Sequence, residues 1–123
     1  MSIRPFIAVV DDDPSLCKAL ERLLRSSRME VETYPSGEKF LLTLEQREPD
    51  CLLLDVRMPG MTGPELHLRL VGMGRSIPVV FITAHAEDVE PDGSASVPEI
   101  VLKPFDANAL LEALERAMAR SKG

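Results

Sequence analysis

Acidic side chains end two of the apolar segments of this 123-residue chain. The apolar run Cys51–Leu54 stops at Asp55, and the group Asp11, Asp12 and Asp13 follows another run, Ile3–Val10. An ionised carboxylate beside a core is costly unless a cation or hydrogen-bond donors stabilise it. These acids therefore require either a structural partner or a chemical role.

Helix capping is the ordinary role for an acid in this position, and Asp13 suits it because Pro14 follows. A helix start needs one cap, however, and Asp55 precedes no helix directly. Two carboxylates ~4 Å apart repel by about 4 kcal/mol at an effective dielectric constant of ~20. Oxygen ligands on loops suit Mg²⁺. Taken alone, the acids leave capping and a Mg²⁺ site equally open.

A hydroxyl and an amine also end apolar segments, at Thr83 and Lys103. Each alone has an ordinary explanation, β propensity for the threonine and a snorkelling stem for the lysine. Together with a metal ion they form a clamp for a phosphoryl group, whose oxygens meet the metal, the ammonium and the hydroxyl. In this interpretation Asp55 is a positioned nucleophile that attacks phosphorus.

The elements that position these residues alternate between strand and helix. Apolar runs predict five strands, and capping signals and helical spacing predict four helices between or after them. Short apolar strands separated by helices imply right-handed parallel crossovers and a sheet covered on both faces. The predicted strands are Ile3–Val10, Met29–Tyr34, Cys51–Asp55, Pro78–Thr83 and Glu99–Leu102; the predicted helices begin at Pro14, after Ser36, at Thr62-Gly63-Pro64 and after Asp106. The second of these helices is predicted to end near Gln46.

The segment Ala86–Glu99 interrupts this alternation. It should hold the fourth of five helices, but it contains prolines, a glycine and several acids and too few apolar residues for a buried stripe. We expect a loop with at most one helical turn, mobile over residues 86–98.

Composition indicates one domain, residues 1–123, of ordinary globular character. The net charge of −6 argues against direct nucleic-acid binding. No apolar run approaches the ~20 residues of a membrane span, and a secretory signal is absent, so we expect a cytoplasmic protein. Cys17 and Cys51 are expected to be buried reduced thiols, and His67 to lie on a helix surface.

Four motifs, VVDDDPS, LLLDVRMPGMTGPEL, VVFITAH and VLKPFDANAL, resemble the receiver domains of two-component response regulators, the CheY-like superfamily. The chain looks most similar to receivers of nitrogen-fixation regulators with a LuxR-type output domain. The resemblance implies a flavodoxin-like α/β fold: a doubly wound, five-stranded parallel sheet in the order 2-1-3-4-5, with the fourth helix short or missing.

The resemblance also implies a role for each matching residue. Asp12 would bind Mg²⁺ directly and Asp11 through water, and the backbone carbonyl of Arg57 would be a further ligand. Asp55 would be both a ligand and the phosphoacceptor, taking a phosphoryl group from a sensor histidine kinase.

Thr83 would hydrogen-bond the phosphoryl group and carry the conformational switch, and Lys103 would pair with a phosphoryl oxygen. The peptide bond from Lys103 to Pro104 is often cis in the family. Arg57 and His85 would flank the path of the hydrolytic water. Such a receiver is no enzyme beyond its own phosphorylation and dephosphorylation, and it switches a surface for a downstream output domain or protein.

Two linked departures from the family pattern leave alternatives open: the segment from Thr83 to Lys103 is shorter than usual, and the usual aromatic switch residue is replaced. Ile100 stands where the family usually has an aromatic switch residue, so a degenerate receiver that binds proteins independently of phosphorylation remains an alternative. A Mg²⁺-dependent phosphatase is a second alternative, but it would need an acid two residues after its nucleophile, and that residue is Arg57. The sequence leaves the oligomeric state open.

Overall fold

The computed structural model describes residues 4–89 and 98–121. Strands and helices alternate, and all five strands are parallel, in the order β2-β1-β3-β4-β5. The predicted fold class and strand order are confirmed. The strands are Phe6–Val10 (β1), Glu30–Tyr34 (β2), Cys51–Asp55 (β3), Val79–Thr83 (β4) and Glu99–Leu102 (β5); the helices are Pro14–Ser26 (α1), Gly37–Thr43 (α2), Gly63–Gly72 (α3) and Ala107–Ser121 (α4).

The helices cover both faces of the sheet. Side chains alternate across a strand, so Ile7 and Val9 of β1 join the core beneath α1 and α4, while Ala8 and Val10 join the core beneath α2 and α3. Because both faces are buried, the central strands have continuous apolar sequences instead of alternating ones. The apolar runs therefore predicted these strands, although β1 begins at Phe6 and not at the predicted Ile3.

Side-chain caps fix where the helices begin. Asp13, Ser36 and Asp106 accept hydrogen bonds from backbone N–H groups at the starts of α1, α2 and α4, as predicted. Thr62 forms a reciprocal capping box with Glu65 at the start of α3. The first turns of these helices therefore lie at defined positions beside the strand ends.

The described part of the connection from β4 to β5 contains little regular secondary structure. It holds one 3-10 helix, Ala86–Asp88, which agrees with the expected single helical turn. The predicted mobility of 86–98 falls mostly on residues 90–97, which lie outside the described residues, and stays a prediction.

Two features of the helices differ from expectation. Helix α2 ends at Thr43, earlier than the predicted end near Gln46. His67 is buried, with 7% of its surface exposed, and its ring packs edge-on against Phe81 at 5.8 Å. The surface prediction for His67 was wrong because α3 presents adjacent residues, Leu66 and His67, to the sheet.

The cysteines are free and buried, as predicted. Within residues 4–89 and 98–121, no helix combines the length and the apolar character that a membrane crossing requires.

Candidate functional site

The carboxyl ends of four neighbouring strands form one edge of the sheet. Asp11 directly follows β1, Asp55 is the last residue of β3, Thr83 is the last of β4, and Lys103 directly follows β5. The registers Val10 beside Leu54, Asp55 beside Ile82 and Thr83 beside Leu102 align these ends. The strand order thus brings together residues that are far apart in the sequence.

Three carboxylates form an acidic cluster at this edge. One oxygen each of Asp11, Asp12 and Asp55 lies within 4.8 Å of the others. Asp11 and Asp55 are buried, whereas Asp12 is exposed. Asp13 has a different role, because its carboxylate accepts the N–H groups of Ser15 and Leu16 and caps α1.

The surroundings of the acidic cluster oppose its negative charge. Burial, followed by the neighbouring charge of Asp11, raises the pKa of Asp55 to about 6, and Lys103 offsets only part of this effect. Burial also raises the pKa of Asp11, although the N–H of Asp13 acts in the opposite direction. Both carboxylates would be stabilised by additional positive charge.

Asp11 provides a specific indication that a cation fits here. Its Oδ1 accepts a hydrogen bond from the N–H of Asp13 at 2.9 Å. Its Oδ2 is buried and has no hydrogen-bond partner among the described residues. A buried carboxylate oxygen without a partner is destabilising unless an ion or water satisfies it. The donor set, three carboxylates, suits a hard divalent cation such as Mg²⁺.

Lys103 places a cation beside the candidate nucleophile, Asp55. Its Nζ lies 3.6 Å from Oδ1 of Asp55. The backbone N–H of Lys103 donates to the carbonyl of Thr83 at 2.8 Å, which ties the lysine to the end of β4. The Lys103–Pro104 peptide bond is cis, as the resemblance implied.

Thr83 is buried, with 3% of its surface exposed. Its Oγ1 accepts the backbone N–H of His85 at 3.1 Å and lies 3.2 Å from the carbonyl oxygen of the same residue. The side chain thus orders the turn that leaves β4. His85 itself is exposed, with Nδ1 3.5 Å from Glu87.

The loop after β3 passes very close to Asp55. A Cβ built at Gly63 would lie 2.3 Å from the backbone oxygen of Asp55, a distance no side chain tolerates. The N–H of Gly63 donates to the carbonyl of Val56 at 3.0 Å, which fixes the approach. Gly60 has a φ of +76°, in the left-handed region that favours glycine. These two glycines allow α3 to begin directly beside the acidic cluster.

An ion pair that the sequence did not indicate borders the site. Arg57 Nε donates to Asp88 Oδ2 at 2.7 Å, and a terminal nitrogen donates to Oδ1 at 3.1 Å. The pair joins the loop after β3 to the 3-10 helix after β4. Asp88 belongs to no motif, and only the fold shows that it faces Arg57.

The chain is similar in sequence to response regulators and to a transcriptional regulator. Residues 7–115 match the model of the response regulator receiver domain family. The response regulator protein TmoT of Ectopseudomonas mendocina is 35% identical over 91% of this chain and 52% of its own length. The DNA-binding transcriptional regulator NtrC of Salmonella typhimurium is 35% identical over 94% of this chain and 25% of its own. This chain thus spans about half the length of the first relative and a quarter of the length of the second.

Solved structures agree on the fold. The response regulator StyR superposes with a TM-score of 0.81 and 42% identity, over 95% of this chain and 60% of that one. The chemotaxis protein CheY4 of Vibrio cholerae, at low pH, gives a TM-score of 0.79 and 25% identity over 94% of this chain and 99% of that one. The likeness covers nearly the whole sheet and its helices.

Proposed function

This chain belongs to the response regulator receiver domain family, a family of signalling domains, and we propose from this premise that Asp55 is a phosphoacceptor. In this proposal residues 1–123 act in the cytoplasm as a single receiver unit of a two-component phosphorelay. The observation that supports it best is the convergence of Asp55, Lys103, Thr83 and the other acids on one edge of the sheet.

The proposed reaction is a phosphoryl transfer from a histidine of a sensor kinase. A carboxylate oxygen of Asp55 attacks the phosphorus, a new P–O bond forms, and the P–N bond to the imidazole breaks. The bonding electrons go to the imidazole nitrogen, which takes up a proton from solvent. The Lys103 ammonium, already 3.6 Å from Asp55, stabilises charge on one phosphoryl oxygen. The Thr83 hydroxyl donates to another.

Mg²⁺ fits the acidic cluster, on the grounds of the unpartnered Oδ2 of Asp11 and the three convergent carboxylates. We propose that Asp11, Asp12 and Asp55 hold the ion together with the backbone carbonyl of Arg57. When bound, the ion would supply positive charge that balances the carboxylates and the phosphoryl oxygens. The chain's own residues position the acceptor and the ammonium.

Two other functions have weaker support. A phosphatase would need an acid two residues after Asp55, but Arg57 occupies that position and pairs with Asp88. A degenerate, phosphorylation-independent binding module would not need a buried, crowded carboxylate, and the pKa of Asp55 near 6 is a cost without benefit in such a protein. The proposed partners are a sensor histidine kinase and a downstream output domain or protein.

Acetyl phosphate and MgCl₂, followed by intact mass measurement, test the phosphoacceptor role. We expect one phosphoryl adduct in the wild-type chain and none in Asp55→Asn. Asp106→Asn is the matched control, since it makes the same change at a helix cap, where asparagine also caps. Excess EDTA should prevent the adduct. An unmodified wild-type chain, or an adduct that persists in Asp55→Asn, would contradict the proposal.

A further inference from the structure

Arg57 pairs with Asp88 at the border of the acidic cluster. The charges that shift the pKa of Asp55 are those of Asp11, Lys103 and Asp12, and Arg57 is not among them. Arg57 nevertheless follows Asp55 by only two residues. Its guanidinium is therefore engaged by Asp88, although a site crowded with carboxylates lies next to it.

The carboxylate of Asp88 accepts two hydrogen bonds from Arg57, at 2.7 and 3.1 Å. These hydrogen bonds are the main cause that lowers the pKa of Asp88. The nearby hydroxyl of Thr83 lies 3.2 Å from the carbonyl oxygen of His85. One internal anion thus occupies a guanidinium at the border of the site.

We infer that Asp88 is an internal competitor of the phosphoryl group: in the resting chain it holds the guanidinium of Arg57, and phosphorylation of Asp55 withdraws that guanidinium from it. This inference rests on the phosphoacceptor role proposed above. A phosphoryl group brings about two negative charges, more than one carboxylate can offer the same donors. The guanidinium of Arg57 then binds the phosphoryl oxygens, and the carboxylate of Asp88 is released from it.

Release of Asp88 has a structural consequence. The 3-10 helix Ala86–Asp88 holds few hydrogen bonds of its own: the N–H of Asp88 donates to His85 at 3.1 Å, and that of Val89 donates to Ala86 at 3.2 Å. Its side chains are exposed or half-buried, and the ion pair of Asp88 with Arg57 links it to the loop after β3. Phosphorylation would thereby loosen the start of the β4–β5 connection.

The phosphorylation rate tests the competition. Asp88→Asn keeps the shape but removes the charge, and we expect about fivefold faster adduct formation with acetyl phosphate, a size suited to the loss of one ion pair. In an Arg57→Ala background the same substitution should change the rate by less than about twofold. Glu48→Gln is the matched control, because it weakens a comparable pair with Arg75, 3.0 Å, outside the site, and should leave the rate unchanged.

Hydrogen exchange at the Asp88 and Val89 amides gives a second readout in the unmutated chain. Exchange should accelerate when Asp55 is phosphorylated, and in Asp88→Asn it should be fast before phosphorylation. A wild-type chain that accepts the phosphoryl group without change at these amides would overturn the inference while leaving the phosphoacceptor role intact. An equal acceleration by Asp88→Asn with and without Arg57 would overturn it too, and a chain that accepts no phosphoryl group would remove its premise.

Discussion

Among the described residues, the carboxylates of Glu99 and Asp55 are both largely withdrawn from solvent, but their surroundings are opposite. The Glu99 side chain is 12% exposed and meets two guanidiniums, those of Arg116 at 2.9 Å and Arg120 at 2.8 Å. The Asp55 side chain is 9% exposed and meets one ammonium at 3.6 Å, together with two further acids. The single negative charge of Glu99 is thus paired with two positive charges. Asp55 has one positive neighbour and two negative ones.

The difference separates an acid that is paired within the fold from the acid that we propose to be reactive. Glu99 begins β5 and ties that edge strand to α4, and its pairing leaves it nothing further to bind. Asp55 ends β3 at the edge where strand ends converge, and its charge stays partly uncompensated. The surplus of negative charge, rather than burial, is therefore the feature that indicates a binding site.

The largest expected effect concerns the close approach that builds the acidic cluster. Gly63→Ala should destabilise the fold by about 3 kcal/mol or more, because its Cβ would lie 2.3 Å from the backbone oxygen of Asp55. Gly72→Ala, at the other end of α3 with nothing within 4 Å, should be neutral or slightly stabilising. Urea denaturation of both variants measures their free energies of unfolding. Equal changes in the two variants would show that the close approach of Gly63 to Asp55 does not matter for stability.

The next effect concerns the charge of Asp55. Asp55→Asn should stabilise the chain without Mg²⁺ at pH 7.5 by roughly 2–3 kcal/mol, since the folded-state pKa of about 6 exceeds the ordinary 3.8. Between these values the folded state binds more protons than the unfolded state, so wild-type stability falls as pH rises through the window.

The gain from Asp55→Asn should therefore shrink from pH 6 to pH 4 and vanish below it. Thermal unfolding across this range, with the wild type beside the variant, measures the difference. A variant less stable than the wild type at pH 7.5 would mean that Lys103 compensates Asp55 fully, and the contrast with Glu99 would disappear.

The smallest expected effect concerns Glu99, and its sign is opposite to that of Asp55→Asn. Glu99→Gln should destabilise the fold by about 1 kcal/mol, because two half-exposed arginines lose their charged acceptor. Glu112→Gln, which removes a weaker 3.9 Å partner of Arg116, should cost less than about 0.5 kcal/mol. Phosphorylation by acetyl phosphate should be unchanged in both, and a slower rate in Glu99→Gln would assign this acid a role beyond structure.

The sequence by itself predicted the five strands, the helix starts and the residues that meet at the carboxyl ends of the strands, Asp11, Asp12, Asp55, Thr83 and Lys103. This was possible because buried parallel strands have continuous apolar sequences. Each candidate site residue stands at or just after the end of such a sequence, which is where ligands bind in open parallel sheets. The caps at Asp13, Ser36 and Asp106 were equally local signals.

Only the tertiary structure decided contacts that depend on the packing of distant segments. The burial of His67 follows from how α3 lies on the sheet, and Gly63 is required by one backbone approach. Arg57 and Asp88 form a pair although they are 31 residues apart in the sequence, and neither residue type nor spacing indicates this contact. Periodicity reports which face of an element is apolar, whereas the partner across a gap is set by the relative position of whole elements.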